Sequence, residues 1–245
     1  MVDIHCHLLP GIDDGAADLD DSAAMCELLV ADGCTAVIAT PHQRHDLWPN
    51  HDLEALERLR RSVAERAPQG LDIRLGAEIR SDSELPAELE TGRGLQPLAG
   101  GHHLLVEFDR REPLPQPGAE GLVHELVVMG WRPIIAHPEL IPWLAEDPAA
   151  TAELVARGAR IQVTAMSVTG EFGRWAQERC RILLNAGLVH FVASDSHSPR
   201  QRPPGLSRAR AVLADRHGEE VAELLTRTNP AAVIADQPVA AEMPS

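Results

Sequence analysis

The chain has no tyrosine, and its three Phe and four Trp bring the aromatic fraction to only 3%. A core built on stacked rings is therefore excluded, and Leu, Val, Ile and Ala must fill it. Four cysteines, Cys6, Cys26, Cys34 and Cys180, form no CxxC pair. That excludes a thiolate zinc knuckle and gives no disulfide framework. No apolar run is long enough to span a bilayer, so direct membrane insertion is not expected. Met1-Val2-Asp3-Ile4-His5 lacks the basic stretch and apolar run of an export signal, and a cytoplasmic protein is expected. Basic residues are also short, 22 against 37 acidic ones, for a net charge of −15. Such a surface repels nucleic acid and anionic lipid.

Two phosphatase or hydrolase mechanisms are missing as well. A cysteine phosphatase needs Arg six positions after its nucleophile, and the four cysteines have Ile12, Asp32, Thr40 and Ala186 there. There is no GxSxG elbow for a serine nucleophile and no Gly-rich phosphate loop after the first apolar run.

What is present is an alternation. Short apolar runs at residues 2–4, 35–39, 72–77, 103–108, 132–136, 160–163 and 189–193 predict strands. Amphipathic stretches at 20–31, 53–67, 83–90, 118–129, 148–157, 173–186, 204–216 and 219–226 predict helices. Repeated strand–helix units predict a parallel α/β sheet with helical cover, closed or nearly closed into a barrel. An open doubly wound sheet is the alternative, disfavoured by the absent phosphate loop. The 245 residues suit one domain over 1–237, with a loose tail at 238–245. Pro-rich loops are expected at 113–117 and 198–204.

Metal-capable side chains recur at the ends of these runs: His5 and His7, His42, Glu78, Glu107, His137, Asp195 and His197. Each follows its apolar run, and in α/β barrels that end carries the active site. Residues two apart on a strand share a face, so His5 and His7 point together while Cys6 points to the helices. Singly, an HxH pair, a strand-end acid or an Asp-Ser-His turn is commonly structural. Six such groups on six strand ends form a pattern. Mixed imidazole and carboxylate donors suit Mn, Fe or Zn. His45, His51, His124, His190 and His217 do not join it, and His103 sits too early in its strand.

The run Val2 to Gly15, containing His5-Cys6-His7-Leu8-Leu9-Pro10-Gly11-Ile12-Asp13-Asp14-Gly15, resembles the start of the polymerase and histidinol phosphatase superfamily. Its form is that of the CpsB-type protein-tyrosine phosphatases of bacterial capsule and exopolysaccharide loci. Thr40-Pro41-His42, Ala77-Glu78, Val106-Glu107, His137-Pro138-Glu139, Ser194-Asp195-Ser196-His197, Arg202-Pro203-Pro204 and Thr228-Asn229-Pro230 follow in the family's order.

The resemblance implies a distorted (β/α)7 barrel and three divalent metals, usually manganese, with Fe, Zn or Co as alternatives. One metal would take His5, His7, Glu78 and Asp195. The second would share Glu78 and add Glu107 and His137. The third would take Asp14, His42 and His197, with Asp13 the adjacent alternative to Asp14. Glu78, Asp195 and Arg202 are the implied catalytic residues, Arg202 clamping the substrate phosphate. Asp14 and Glu107 stand where other branches often have His, which favours the tyrosine-phosphatase branch. The implied partner is a phosphorylated tyrosine autokinase with a Tyr-rich tail; oligomeric state is left open. Two departures stand out: Leu140 where the family usually has Arg, and Gln43 where it often has a second His. Leu140 keeps two alternatives in view, a histidinol-phosphate or sugar-phosphate phosphatase and a catalytically weak metal-binding regulator of the kinase.

Overall fold

Among the described residues, nine parallel strands occupy seven positions around a barrel. They are β1 (Val2–Cys6), β2 (Ala36–Ala39), β3 (His42–Gln43), β4 (Asp72–Leu75), β5 (Glu78–Arg80), β6 (His103–Glu107), β7 (Arg132–Ala136), β8 (Arg160–Thr164) and β9 (Phe191–Ala193). The computed structural model describes residues 1–92, 94–110 and 118–241. The Pro-rich stretch expected at 113–117 and the last four positions of the expected tail lie outside the described residues.

The strands pair as β1-β2-β4 and β3-β5-β6-β7-β8-β9. The second and third expected strands are found as β2 and β4, and each is followed, after a two-residue break, by a further short segment, β3 and β5, with a local cause. Pro41 has no N–H to donate to a ladder. A Cβ on Gly76 would lie 2.8 Å from Ile38 Cγ2 and from Leu98 Cδ2, so the backbone there passes too close for a side chain. Hydrogen bonds bridge the breaks, Gly76 N to Ala39 O at 2.8 Å and Glu78 N to Pro41 O at 3.1 Å. The ring closes where Cys6 bridges Ser196, through Asp195 N to His5 O at 2.8 Å and His7 N to Ser196 O at 2.9 Å. Between β4 and β6 a 3₁₀ turn, Leu98–Gly100, inserts Leu98 into the interior.

Ile4, Ile38, Leu105, Ile134, Phe191 and Ala193 fill the barrel. Val37, Val106, Ile135, Ile161 and Val192 alternate with them and face the helices. Full burial of such a side chain contributes about 1.5–3 kcal/mol. The helices are α1 (Leu19–Ala31), α2 (Leu53–Arg66), α3 (Leu85–Glu90), α4 (Ala119–Val128), α5 (Pro142–Glu146), α6 (Pro148–Ala156), α7 (Ala165–Thr169), α8 (Arg174–Asn185), α9 (Leu206–His217), α10 (Glu219–Glu223) and α11 (Asn229–Ile234). The expected helix at 219–226 continues through a π turn, Leu224–Thr228, into α11. Pro230 can give no i→i−4 bond there, and Asn229 Nδ2 donates to His190 O at 2.9 Å, which fastens α11 to the entry of β9. Beyond Pro238, where a loose tail was expected, Val239 is buried and its carbonyl accepts from Arg160 Nε at 2.8 Å. Among the described residues no helix is long and apolar enough to cross a membrane.

Candidate metal centre

At the C-terminal mouth of the barrel, nine side chains face one another: His5, His7, Asp14, His42, Glu78, Glu107, His137, Asp195 and His197. All are buried except Asp14, whose side chain is 44% exposed. A register shift between Asp3 and Cys6 sets the first pair. Ile4 packs inside the barrel, and after the shift His5 and His7 also point inward, their Nε2 atoms 3.3 Å apart. Cys6 faces the helix layer. His137 and Asp195 hold φ of 33° and 50°, a left-handed backbone that costs a non-glycine residue about 1–3 kcal/mol and is found at functional sites.

Outer hydrogen bonds orient three imidazoles. His5 Nδ1 faces Gln162 Oε1 at 3.0 Å, His7 Nδ1 faces Asp13 Oδ2 at 2.9 Å, and His197 Nδ1 faces the Asp195 carbonyl at 3.0 Å. Each Nδ1 meets an acceptor, so it carries the proton and leaves Nε2 to the cluster. There the His5 and His7 Nε2 atoms lie 3.4–3.6 Å from Glu78 Oε2 and Asp195 Oδ1. Glu78 Oε1 contacts His137 Nε2 at 2.7 Å. Glu78 Oε2, 3.0 Å from His42 Nδ1, still accepts no hydrogen bond of normal geometry. His197 and His42 each present Nε2 to Asp14 Oδ1 at 3.4 Å. Glu78 Oε2, facing His5, His7 and His42 with no hydrogen bond of normal geometry, is the oxygen a cation would satisfy. The donor set, five imidazoles and four carboxylates, fits divalent ions.

The electrostatics carry the same demand for positive charge. Burial pushes Glu78 up, but His5 and His42 outweigh it and hold it well below the carboxylate range. Burial, then the charge of Glu78, pushes Glu107 up to about 7. Burial opposes protonation of His42, yet Glu78 and Asp14 raise it to about 11; Asp13 likewise raises His7 to about 9. A bound cation would compete with those protons.

Arg202 reaches the same cluster. Its Nη2 donates to Asp195 Oδ2 at 2.5 Å and to the Asp195 carbonyl at 2.9 Å, and Nη1 lies 3.1 Å from His197 Nε2. Its Nε has no partner. Asp13 stands behind His7 and also accepts from His42 N at 3.1 Å, while Asp14 faces His42 and His197.

Residues 1–235 match the family model for capsular polysaccharide synthesis, CpsB/CapC. The chain belongs to the CpsB/CapC family. A CpsB/CapC relative, tyrosine-protein phosphatase YwqE of Bacillus subtilis, is 37% identical over 230 residues, 92% of this chain and 89% of the relative. A crystal structure of YwqE from Bacillus subtilis and CpsB from Streptococcus pneumoniae, described as unique metal-dependent tyrosine phosphatases, superposes with a TM-score of 0.88. It is 34% identical and covers 100% of this chain and 99% of its own. An organophosphorus hydrolase from Deinococcus radiodurans, 17% identical with a TM-score of 0.59 over 95% of this chain and 92% of its own, shares the fold.

The CpsB/CapC departures have distinct structural meanings. Gln43 is a clip: Nε2 donates to the carbonyls of Asn50 at 2.7 Å and Gly94 at 2.9 Å, and Oε1 accepts from Gln96 N at 2.9 Å. An imidazole could not make all three bonds. Leu140 ends a 3₁₀ turn and brings no cation. Sequence reading overlooked Arg110, whose Nε lies 3.3 Å from Glu107 Oε1 and which lines a cleft of about 310 Å³ with Asp14, His42 and Glu107. Its position three residues past a strand-end acid was the available signal. His45, set aside on strand pattern, also lines this cleft, its ring 5.4 Å from that of His42. Glu139, in contrast, is structural: it is fully buried, accepts from Thr164 N at 2.8 Å, and is pushed by burial up to about 7.

Proposed function

We propose that this chain is a metal-dependent protein-tyrosine phosphatase. The observation that carries the proposal is the convergence of nine acids and imidazoles around Glu78, whose two oxygens meet different sets of imidazoles. The names of the relatives support the same reading.

Three divalent ions are assigned, manganese first, with Fe, Zn or Co compatible with the same donors. His5, His7, Glu78 and Asp195 would hold one, Glu78, Glu107 and His137 a second, and Asp14, His42 and His197 the third. Bound there, such ions supply the Lewis acidity that activates water and offsets phosphoryl charge. The chain's own groups do the remaining work. Arg202 offers planar N–H donors to the phosphate oxygens, a role suited to guanidinium rather than ammonium. Arg110 adds a second cation beside Glu107, in a chain that has Leu at position 140. Asp13, Gln162 and the Asp195 carbonyl keep the imidazoles turned inward.

A tyrosine phenolate, with a conjugate-acid pKa of about 10, leaves more readily than a serine alkoxide. That lowers the demand for a general acid and favours phosphotyrosine protein as substrate. The finer assignment is the Tyr-rich tail of an autokinase of exopolysaccharide export, met in the cytoplasm. The test is turnover of a phosphotyrosine tail peptide by the purified chain with and without manganese. Chelation should abolish it and manganese restore it, and Glu78→Ala should lose both turnover and metal. Full activity in Glu78→Ala, or no turnover at saturating manganese, removes the assignment.

A further inference from the structure

The loop at residues 44–50 joins β3 to α2 and contributes no metal-capable group to the cluster, yet it is built to keep one shape. Arg44 and Asn50 sit at φ of 59° and 44°. Both are held there by side-chain bonds. Arg44 donates to Glu88 at 2.6 Å and to the Arg80 carbonyl at 2.7 Å, and Asn50 donates to the carbonyls of His42 at 2.8 Å and Ile12 at 3.1 Å. Between these anchors Trp48 N donates to the His45 carbonyl at 3.1 Å.

The result is a fixed indole beside the acidic cluster. The Trp48 ring is parallel to His42, at an angle of 8° with centroids 5.3 Å apart, and lies 4.6 Å from the His45 ring. Trp48 is partly exposed, and with Leu47, 72% exposed, it walls the cleft over Asp14, His42 and Glu107 that Arg110 also lines. In a chain with so few aromatics, this flat surface stands where a substrate must pass to reach the cluster.

We propose that Trp48 is a specificity-determining residue: its indole takes the phenyl ring of a phosphorylated tyrosine and makes the site prefer aryl to alkyl phosphate monoesters. The inference rests on the phosphatase reading above. Phosphotyrosine places a flat ring between phosphate and peptide, and the ring can stack on the wall while the phosphate sits over the cluster. Phosphoserine has nothing flat to offer at that height. One aromatic pair is worth about two- to tenfold in affinity beyond the area it buries.

The test uses the full chain with manganese, comparing the unsubstituted protein with Trp48→Ala and Trp48→Phe. The readout is the ratio of kcat/KM on a phosphotyrosine peptide to kcat/KM on β-glycerophosphate. Trp48→Ala should lower that ratio about three- to tenfold, mainly through KM on the peptide, and Trp48→Phe should recover most of it. Independently, the inhibition constant of phenylphosphonate should rise in Trp48→Ala more than that of methylphosphonate, with bound manganese unchanged. If the Ala variant does not fold, Trp48→Leu reads the same ratio. An equal fall on both esters with loss of manganese makes Trp48 a prop for His42 and overturns the inference. An unchanged ratio in a protein that does hydrolyse the peptide removes the inference alone. No turnover of either ester by the unsubstituted protein removes it together with the phosphatase reading.

Discussion

Asp13 illustrates how one residue can govern a site without facing it. Its Oδ2 accepts from His7 Nδ1 at 2.9 Å and from His42 N at 3.1 Å, and its Oδ1 accepts from Gly15 N at 2.9 Å. It therefore fixes the ring of one proposed ligand and the backbone of another. Carboxylates in this position raise ligand basicity, and losing one costs about 10–100-fold in metal affinity. Asp13→Ala should weaken manganese binding by about that factor in a metal titration while the fold persists; unchanged affinity would reduce Asp13 to a loop-forming residue. The sequence could not separate Asp13 from Asp14, because strand parity stops at His7 and the loop beyond it has no period. The convergence of the strand-end acids and imidazoles was legible for the opposite reason. His5, Glu107 and Asp195 sit at the ends of apolar runs, and a barrel brings such ends together whatever the helices between them do.

At the level of the element, the β1–α1 loop shows why the Asp13-Asp14-Gly15 run ends in glycine. The loop folds back on its own strand, with Ala16 N donating to His7 O at 3.1 Å and Gly11 N to Ala16 O at 2.8 Å. A Cβ at Gly15 would stand 2.3 Å from His7 O and 2.5 Å from His7 Cβ, contacts no side chain tolerates. Gly15→Ala must move either β1 or the loop, and both carry site residues. Overpacking of this kind costs about 1–3 kcal/mol, or some 2–12 °C in Tm for a chain this size. We expect that drop in a thermal melt, together with weaker manganese binding. Gly121→Ala in α4 is the control: nothing lies within 4 Å of its Cβ, and alanine favours the helix, so Tm should hold or rise. Equal melts for the two variants would contradict the close approach. The short segments β3 and β5 were hidden from sequence for a related reason. Gly76 and Pro41 sit inside or beside apolar runs, and only the neighbours of Gly76, Ile38 and Leu98, reveal that the backbone is crowded there.

Over the whole molecule, the barrel separates two chemistries along its axis. The mouth concentrates acids that stabilise positive charge, while the interior below is apolar and rejects it. His103 marks the difference. It shares the inner face of β6 with Leu105 and Glu107, but it is buried at the far end and neither ring nitrogen has a hydrogen-bond partner. Burial, with Arg132 adding to it, pushes its pKa down to about 4. An unfolded histidine titrates near 6.5, so the unfolded chain binds this proton first as pH falls. Stability from the neutral ring is therefore complete above about pH 6.5 and is lost progressively down to about pH 4, a total of about 2–3 kcal/mol. His103→Leu removes the titrating group without stranding a hydrogen-bond partner. In urea unfolding at pH 7 and pH 4.5, the variant should lose about 2–3 kcal/mol less than the unsubstituted chain on acidification. The carboxylates at the mouth titrate in both proteins and cancel in the difference. Parallel losses would mean that His103 is protonated in the folded barrel, its charge carried by Asp236, whose Oδ1 lies 3.7 Å from His103 Nδ1.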